Sequence, residues 1–151
     1  MTKTVMAFGS FDILHPGHLL YLEKAKRLGD MLIVVVARDS SITLFKKRHS
    51  ALSEKDRLSL ISSLKIVDKA ILGNKLRKPK ERLKIIKRYK PDVIAFGYDQ
   101  RIDTTEVRKW LRQNGVGARV IRIRNVANEK RYKSSVILRK MLRKHHKTPA
   151  F

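Results

Sequence analysis

The chain lacks cysteine altogether, and this absence excludes disulfides, catalytic thiolates and Cys-ligated zinc. Long apolar runs are missing too: the longest is MLIVVVA at Met31–Ala37, far short of the ~20 residues that a membrane helix needs. No charged region followed by a long apolar segment opens the sequence, so no signal peptide is visible. We therefore expect a soluble cytoplasmic protein with no membrane partner.

Acidic residues are scarce, at 13 Asp and Glu against 36 Lys and Arg, and the formal net charge is +23. The densest basic stretch, Lys75–Lys90, holds nine basic residues and one acid, Glu81. Such a field attracts the phosphates of nucleotides, nucleic acid or lipid head groups. A solvated basic helix face is the alternative interpretation. The charge thus indicates an anionic ligand without identifying it.

Apolar blocks alternate with helical patterns along the chain, which has the length of one domain. The blocks are short and rich in β-branched residues, as strands are. Residues 1–144 are predicted to form the domain, and 145–151 a frayed basic tail. The predicted strands are Thr4–Phe8, Met31–Ala37, Ile66–Leu72, Asp92–Phe96 and Ala118–Ile123; the predicted helices include Lys78–Lys90, Thr104–Asn114 and Ser134–Lys144, with earlier ones around Leu19–Leu28 and after Ser53.

This alternation predicts an α/β fold: a single-domain, open, doubly wound, five-stranded parallel sheet of the Rossmann-like type. The near-continuous apolar run at Met31–Ala37 suits a central strand that is covered on both faces. In such sheets, ligands bind beyond the carboxyl ends of the strands, where the strand order reverses.

The first predicted strand runs into the segment Gly9–His18, GSFDILHPGH, and then into a helix. Gly9 and Ser10 are small enough for the backbone to approach a phosphate or ribose. Pro16 suits the first helical position, and Gly17 then lies in a first turn whose free N–H groups favour an anion. The segment therefore predicts a phosphate site.

His15 and His18, three residues apart, can converge on one phosphate as hydrogen-bond donors or as imidazolium. Such donors would stabilise the charge that develops on a phosphoryl group under attack. A metal site is the first alternative, but no cysteine and no nearby third ligand supports it, and no metal ligand is assigned. A functionless surface turn is the second, and a dinucleotide site would need the absent G-x-G-x-x-G.

GSFDILHPGH resembles the signature G-[ST]-F-D-x-x-H-x-G-H of the cytidylyltransferase-like nucleotidyltransferases, the HxGH type. This group includes glycerol-3-phosphate cytidylyltransferase and the archaeal FAD synthases. The resemblance covers about Thr4 to Leu142. Val36–Asp39 (VARD) and Gly97–Gln100 (GYDQ) are most similar to the archaeal FAD synthases.

The resemblance implies the site residues. It makes His15 and His18 catalytic at the α-phosphate. Lys46, Lys47 and Arg48 are predicted to lie in the loop after the second strand, and the resemblance implies that one of them holds the outer phosphates. Lys46 is taken as catalytic, although the choice among the three stays open. The nucleotide-binding set is Gly9, Ser10, Phe11, Asp12, Pro16, Gly17, Arg48, Asp99, Ser134 and Ser135.

Two stretches depart from the glycerol-phosphate enzymes: Asp99-Gln100 replaces an acidic-aromatic pair, and Lys130–Ser135 replaces most of their R-T-x-G-I-S-T-T motif. The resemblance therefore implies transfer of AMP from ATP to FMN, which gives FAD and pyrophosphate with a divalent cation such as Mg²⁺. The alternative is a cytidylyltransferase acting on glycerol 3-phosphate or a similar small alcohol phosphate. A homodimer is possible in this family.

A second alternative, from another class, is a non-enzymatic nucleic-acid-binding protein, which the charge of +23 brings into consideration. No aromatic-interleaved basic motif of an RNA module is present, so nucleic acid is not the partner we expect.

Other side chains keep more than one interpretation. Asp12 can orient a histidine, hold ribose or cap the turn, and Arg57 can form a structural ion pair or contact phosphate. Tyr98 and Tyr132 can supply aromatic surface to a flavin or pack in the core. Trp110 is expected in the core.

Overall fold

Five parallel strands form one sheet. The computed structural model describes residues 1–124 and 133–145. The predicted α/β doubly wound fold is confirmed. The strands are β1 (Thr4–Gly9), β2 (Met31–Val36), β3 (Lys69–Leu72), β4 (Val93–Gly97) and β5 (Arg119–Ile123). Their order across the sheet is β3-β2-β1-β4-β5.

Helices cover both faces of the sheet. They are α1 (Pro16–Lys26), α2 (Asp39–Lys46), α3 (Glu54–Ser62), α4 (Lys84–Tyr89), α5 (Thr104–Gln113) and α6 (Ser134–His145), with a 3₁₀ turn at Pro79–Leu83. Val5 and Ala7 of β1 face a buried cluster that includes residues of α1 and α3, whereas Met6 faces the cluster built with α4 and α5. This alternation is what a strand with two covered faces requires.

The segment after β2 differs from the sequence prediction, which placed Lys46 to Arg48 in a loop. Residues 39–46 form α2, so Lys46 ends a helix and Lys47 adopts a left-handed conformation with φ 51°. Only Ser41 and Ile42 of this short helix are buried. With eight residues and two buried positions, α2 is too short for apolar residues to repeat over several helical turns.

The predicted helix over Lys78–Lys90 is also wrong in one respect. It is divided into the 3₁₀ turn and α4, because Pro79 starts a tight turn in which the Glu81 carboxylate accepts from the N–H groups of Arg77 and Lys78. The third strand is shorter than predicted, since it begins only at Lys69. Of the expected tail, 145–151, His145 ends the last helix, and 146–151 lie outside the described residues.

The strand order reverses at β1, which pairs with β2 on one side and β4 on the other. Pairing with β4 ends at Ala7, and beyond it the side chain of Tyr21 enters between the strands, with its hydroxyl 2.9 Å from the Ala95 oxygen. The Gln100 amide donates to the carbonyl of Phe8 in the same gap. The two strands therefore part at their carboxyl ends, where a crevice opens.

Within residues 1–124 and 133–145, no helix combines the length and apolar character needed to cross a bilayer.

Gly29, between α1 and β2, is predicted not to tolerate a side chain. A Cβ there would lie 2.7 Å from the Lys3 carbonyl oxygen and 2.8 Å from Val5 Cγ2, and neither backbone nor core can move cheaply. Gly29→Ala should lower the free energy of unfolding by ~1–3 kcal/mol through overpacking, measured by urea denaturation.

Gly117→Ala is the matched control, because a Cβ at Gly117 meets nothing within 4 Å. It should change stability by no more than ~0.5 kcal/mol. Equal losses in the two variants would contradict the steric explanation.

Candidate active site

A cleft of about 820 Å³ lies at the carboxyl edge of the sheet, where the segments after β1, β2, β3 and β4 meet the start of α6. Of the residues predicted for the site, Pro16 is not in its lining; it begins α1 instead, and it is exposed. The others all line the cleft: Gly9, Ser10, Phe11, Asp12, His15, Gly17, His18, Lys46, Arg48, Asp99, Ser134 and Ser135.

The loop after β1 is shaped by close packing. A Cβ on Gly9 would lie 2.5 Å from the ring of Phe11, so only glycine leaves room for that ring. Phe11 itself has a φ of 51°, in the left-handed region that is unfavourable for an aromatic residue. Its ring is 2% exposed and meets the ring of His18 edge-on, with centroids 5.2 Å apart. Phe11 thus sets the position of His18.

His15 and His18 stack on each other, with ring centroids 3.7 Å apart and an interplanar angle of 20°. His15 is the N-cap of α1, Pro16 is the first residue of the helix, and the His18 N–H donates to the His15 carbonyl at 2.9 Å. Both rings therefore sit at the helix N-terminus, where the macrodipole favours an anion. The Nδ1 atom of His18 is buried and has no hydrogen-bond partner in the described part of the chain.

The surroundings hold both imidazoles neutral. Burial lowers the pKa of His15, and the nearby Asp99 carboxylate opposes this. Burial lowers the pKa of His18 to about 3, with further contributions from His15 and Lys46. In the free protein at neutral pH the pair thus acts through neutral N–H groups.

Asp12 ties the histidine loop to the segment after α2. Its carboxylate is 1% exposed and lies 2.6 Å from an Arg48 guanidinium nitrogen, and it accepts from the Ala51 N–H at 2.7 Å. Burial acts to raise the pKa of Asp12, but these bonds and one from the Leu52 N–H outweigh it, so the pKa lies below its ordinary value. Asp12 therefore links its own loop to a segment 36 to 40 residues away.

Lys46, Lys47 and Arg48 all line the cleft. Because Arg48 is paired with Asp12, its charge is already partly neutralised. The pKa of Lys46 is lowered, since the cleft partly desolvates its ammonium and Arg48 lies nearby, although the side chain as a whole reaches solvent. Lys46 also contributes to the lowered pKa of His18, which places its charge close to the histidine pair. Lys46 is therefore the cation best placed beside a phosphate on these rings.

The opposite wall comes from the end of β4 and the start of α6. Asp99 and Tyr98 line the cleft there, and Lys133 Nζ lies 5.6 Å from the Tyr98 ring centroid. Ser134 and Ser135 form the first turn of α6, whose free N–H groups suit a phosphate. Tyr132, the second aromatic residue considered for a flavin, lies outside the described residues.

Arg57 is fully buried and joins the segments that carry these groups. Its guanidinium donates to the carbonyls of Ser10 at 2.6 Å and Ala37 at 2.7 Å, and it pairs with Asp39 at 2.6 Å. It also donates to the Leu52 carbonyl at 3.2 Å. Of the two roles considered for Arg57, the structural ion pair is the one observed. Trp110, as expected, packs against the buried cluster beside α5.

Several lining residues were missed because they follow β2 and β3 without any recognisable motif. The sequence signals only a basic stretch at Lys75–Lys90. The rule that parallel strands end at one edge could have placed the segment after β3 near the cleft, but no spacing pattern singles out its members. They are Phe45, Gly73, Asn74, Leu76, Arg82 and Leu83.

A parallel sheet with stacked histidines at a helix N-terminus beside its switch point defines a phosphate-handling α/β domain. Residues 6–140 match the family described as Cytidylyltransferase-like, and the chain belongs to that family. The family resemblance predicted from GSFDILHPGH is thereby confirmed.

Two curated relatives are similar to most of this chain. A protein named FAD synthase from Methanosarcina mazei is 47% identical over 119 residues, which cover 79% of this chain and 75% of the relative. Another FAD synthase, from Methanobrevibacter smithii, is 43% identical over 142 residues, 92% of this chain and 90% of the relative. A crystal structure of a protein named for lipopolysaccharide core biosynthesis, from Thermoplasma volcanium, is 42% identical with a TM-score of 0.77, covering 84% of this chain and all of the other.

We predict that Arg57→Met destabilises the fold by ~3–5 kcal/mol, because it leaves the Ser10 and Ala37 carbonyls without their buried donor. Urea denaturation measures the loss. Arg112→Met, at an exposed position in the last turn of α5, is the control and should stay within ~0.5 kcal/mol of the parent. A similar stability for both variants would show that the Arg57 network contributes little.

Proposed function

We propose that this chain transfers AMP from ATP to FMN, forming FAD and releasing pyrophosphate. The observation that carries the proposal is the stacked, neutral pair His15 and His18 at the start of α1, with Lys46 and Asp99 beside it in one cleft. The FAD synthase relatives, at 43–47% identity over most of the chain, support FMN and ATP as the substrates. The chain is a nucleotidyltransferase on the same grounds.

In this reaction a phosphate oxygen of FMN attacks the α-phosphorus of ATP. A new P–O bond forms, the bond to the β-phosphate oxygen breaks, and the electron pair leaves with pyrophosphate. The attacking phosphate is already ionised at neutral pH, so no general base is required. Catalysis then depends on positioning and on stabilising the charge of the transition state.

His15 and His18 donate N–H groups to the oxygens of the α-phosphate in this mechanism. Neutral donors that are already oriented by Phe11 and by α1 need no reorganisation as charge develops. Lys46 holds the departing pyrophosphate. Asp99 and the Ser134 turn lie on the opposite wall, where they hold the nucleoside.

A divalent cation, when bound, neutralises charge on the triphosphate and the leaving pyrophosphate. Within the described residues, no group of three or more His, Asp or Glu side chains could enclose an ion. Mg²⁺ needs few protein ligands, because substrate phosphates and water supply most of its coordination. Asp99 is the cleft carboxylate that would assist, because Asp12 is committed to Arg48. The cation, the cytoplasmic location and a possible homodimer remain predictions.

The direct test incubates the purified protein with FMN and ATP and follows FAD by chromatography and pyrophosphate by a coupled assay. FAD formation, with ATP preferred to CTP, is expected. Turnover of CTP with glycerol 3-phosphate and none with FMN would favour the cytidylyltransferase alternative. No pyrophosphate from any nucleotide, together with tight RNA binding that resists salt, would favour the nucleic-acid alternative.

Replacement of His18 should separate catalysis from binding. We expect His18→Ala to lower kcat by ~30- to 1,000-fold, equivalent to ~2–4 kcal/mol, because its donor acts mainly in the transition state. The dissociation constant for ATP should change much less. His49→Ala, an exposed histidine outside the cleft lining, is the control and should retain parent activity. If ATP affinity falls by the full amount while kcat is unchanged, His18 has a binding role only.

A further inference from the structure

The cleft extends beyond the groups that the proposed mechanism uses. One end of it, which we name the β3 arm, lies beyond the ends of β2 and β3, and none of its side chains has a role at the reacting phosphates. Neighbouring strands are ~4.8 Å apart, so the end of β3 lies roughly 10 Å from that of β1, across β2. We define the β3 arm by five lining residues that follow β2 and β3: Phe45, Asn74, Leu76, Arg82 and Leu83.

Arg82 is the one charged side chain of the β3 arm, and its charge is not neutralised. Its Nε is buried and has no hydrogen-bond partner among residues 1–124 and 133–145. Burial lowers the pKa of Arg82, which shows that its guanidinium is partly desolvated. The adjacent Glu81 does not compensate, because its carboxylate accepts from the Arg77 and Lys78 N–H groups and pairs with Lys84. A partly desolvated guanidinium without an anionic partner leaves its terminal N–H donors for a ligand in the cleft.

The aromatic ring of Phe45 lies beside this guanidinium. Arg82 Cζ is 5.3 Å from the ring centroid, within the range of a cation–π contact. Phe45 is 42% exposed, although it is large and apolar, and it faces the cleft from the last turn of α2. A flat ligand that stacks here would cover the ring and would meet the guanidinium at its edge.

The backbone holds Arg82 in place before any ligand arrives. The Asn74 side-chain amide donates at 3.1 Å to the carbonyl of Glu81, the residue before Arg82. Leu83, the residue after Arg82, is 6% exposed in the core. Arg82 thus projects from a 3₁₀ turn that is fixed on both sides, which lowers the entropy lost on binding.

We infer that Phe45 and Arg82 form the subsite for the flavin ring, with a terminal guanidinium N–H of Arg82 donating to a carbonyl oxygen on the pyrimidine edge of that ring. The inference rests on the proposed function and names the ring, not the phosphate, as the group held. A ring is favoured over a phosphate because the exposed face of Phe45 and the side chains of Leu76 and Leu83 give this part of the cleft an apolar surface. The ribityl chain of FMN links the ring to a phosphate that must reach the histidines, and it can span the distance between the two ends of the cleft.

Arg82→Gln and Phe45→Ala test the subsite, with riboflavin as the probe because it has the ring and lacks the phosphate. In the wild-type protein, riboflavin should inhibit FAD synthesis competitively against FMN. We expect Arg82→Gln to raise both the KM for FMN and the inhibition constant of riboflavin by about 10-fold or more, with the KM for ATP within about twofold. Phe45→Ala should raise the KM for FMN and the inhibition constant of riboflavin in the same way.

Arg88→Gln and Leu44→Ala are the matched controls, since both residues are exposed and lie outside the cleft lining. They should leave all three constants unchanged, and urea denaturation should show all four variants folded. An unchanged riboflavin constant in both Arg82→Gln and Phe45→Ala would overturn the subsite while wild-type FAD synthesis still upholds the proposed function. A raised KM for ATP instead would assign Arg82 to the triphosphate. Failure of the wild type to make FAD would overturn the function and the flavin subsite together.

Discussion

The buried guanidinium of Arg57 is the constraint on which the site depends. It bonds the loop after β1 through Ser10, the end of β2 through Ala37 and the start of α2 through Asp39. The Asp12 carboxylate adds a second tie to the segment between α2 and α3. Because these contacts fix the histidine loop relative to α2, Lys46 keeps its place beside the imidazoles with no covalent cross-link and no metal ligand assigned.

The excess of positive charge has a chemical consequence inside the cleft. Burial lowers the pKa of His18, and the nearby charge of Lys46 lowers it further, so the ring stays neutral and the phosphate meets N–H donors and not an imidazolium. A substrate with several phosphates is attracted by the surrounding field, and the local geometry then selects which phosphorus reacts. Attraction and catalysis are thereby assigned to different residues of the same cleft.

The sequence was sufficient to predict the sheet, its parallel strands and the histidine loop, because β-branched runs and the spacing of His15 and His18 are local signals. It missed α2 because only Ser41 and Ile42 are buried on that short helix. It did not distinguish among the roles of Asp12, since its partners lie 36 to 40 residues away and only the fold brings them together. Arg82 was hidden for the same reason, within a stretch whose composition indicates only charge.

The protonation state of His18 tests the central claim, that this cleft stabilises a phosphoryl transition state with neutral, pre-positioned imidazole donors. Nitrogen-15 NMR of the histidine rings measures it directly in the free protein as the pH is lowered from 8. We expect a neutral His18 ring down to about pH 5, with a pKa of about 3. A ring that titrates near the ordinary histidine value of about 6.5 would contradict it.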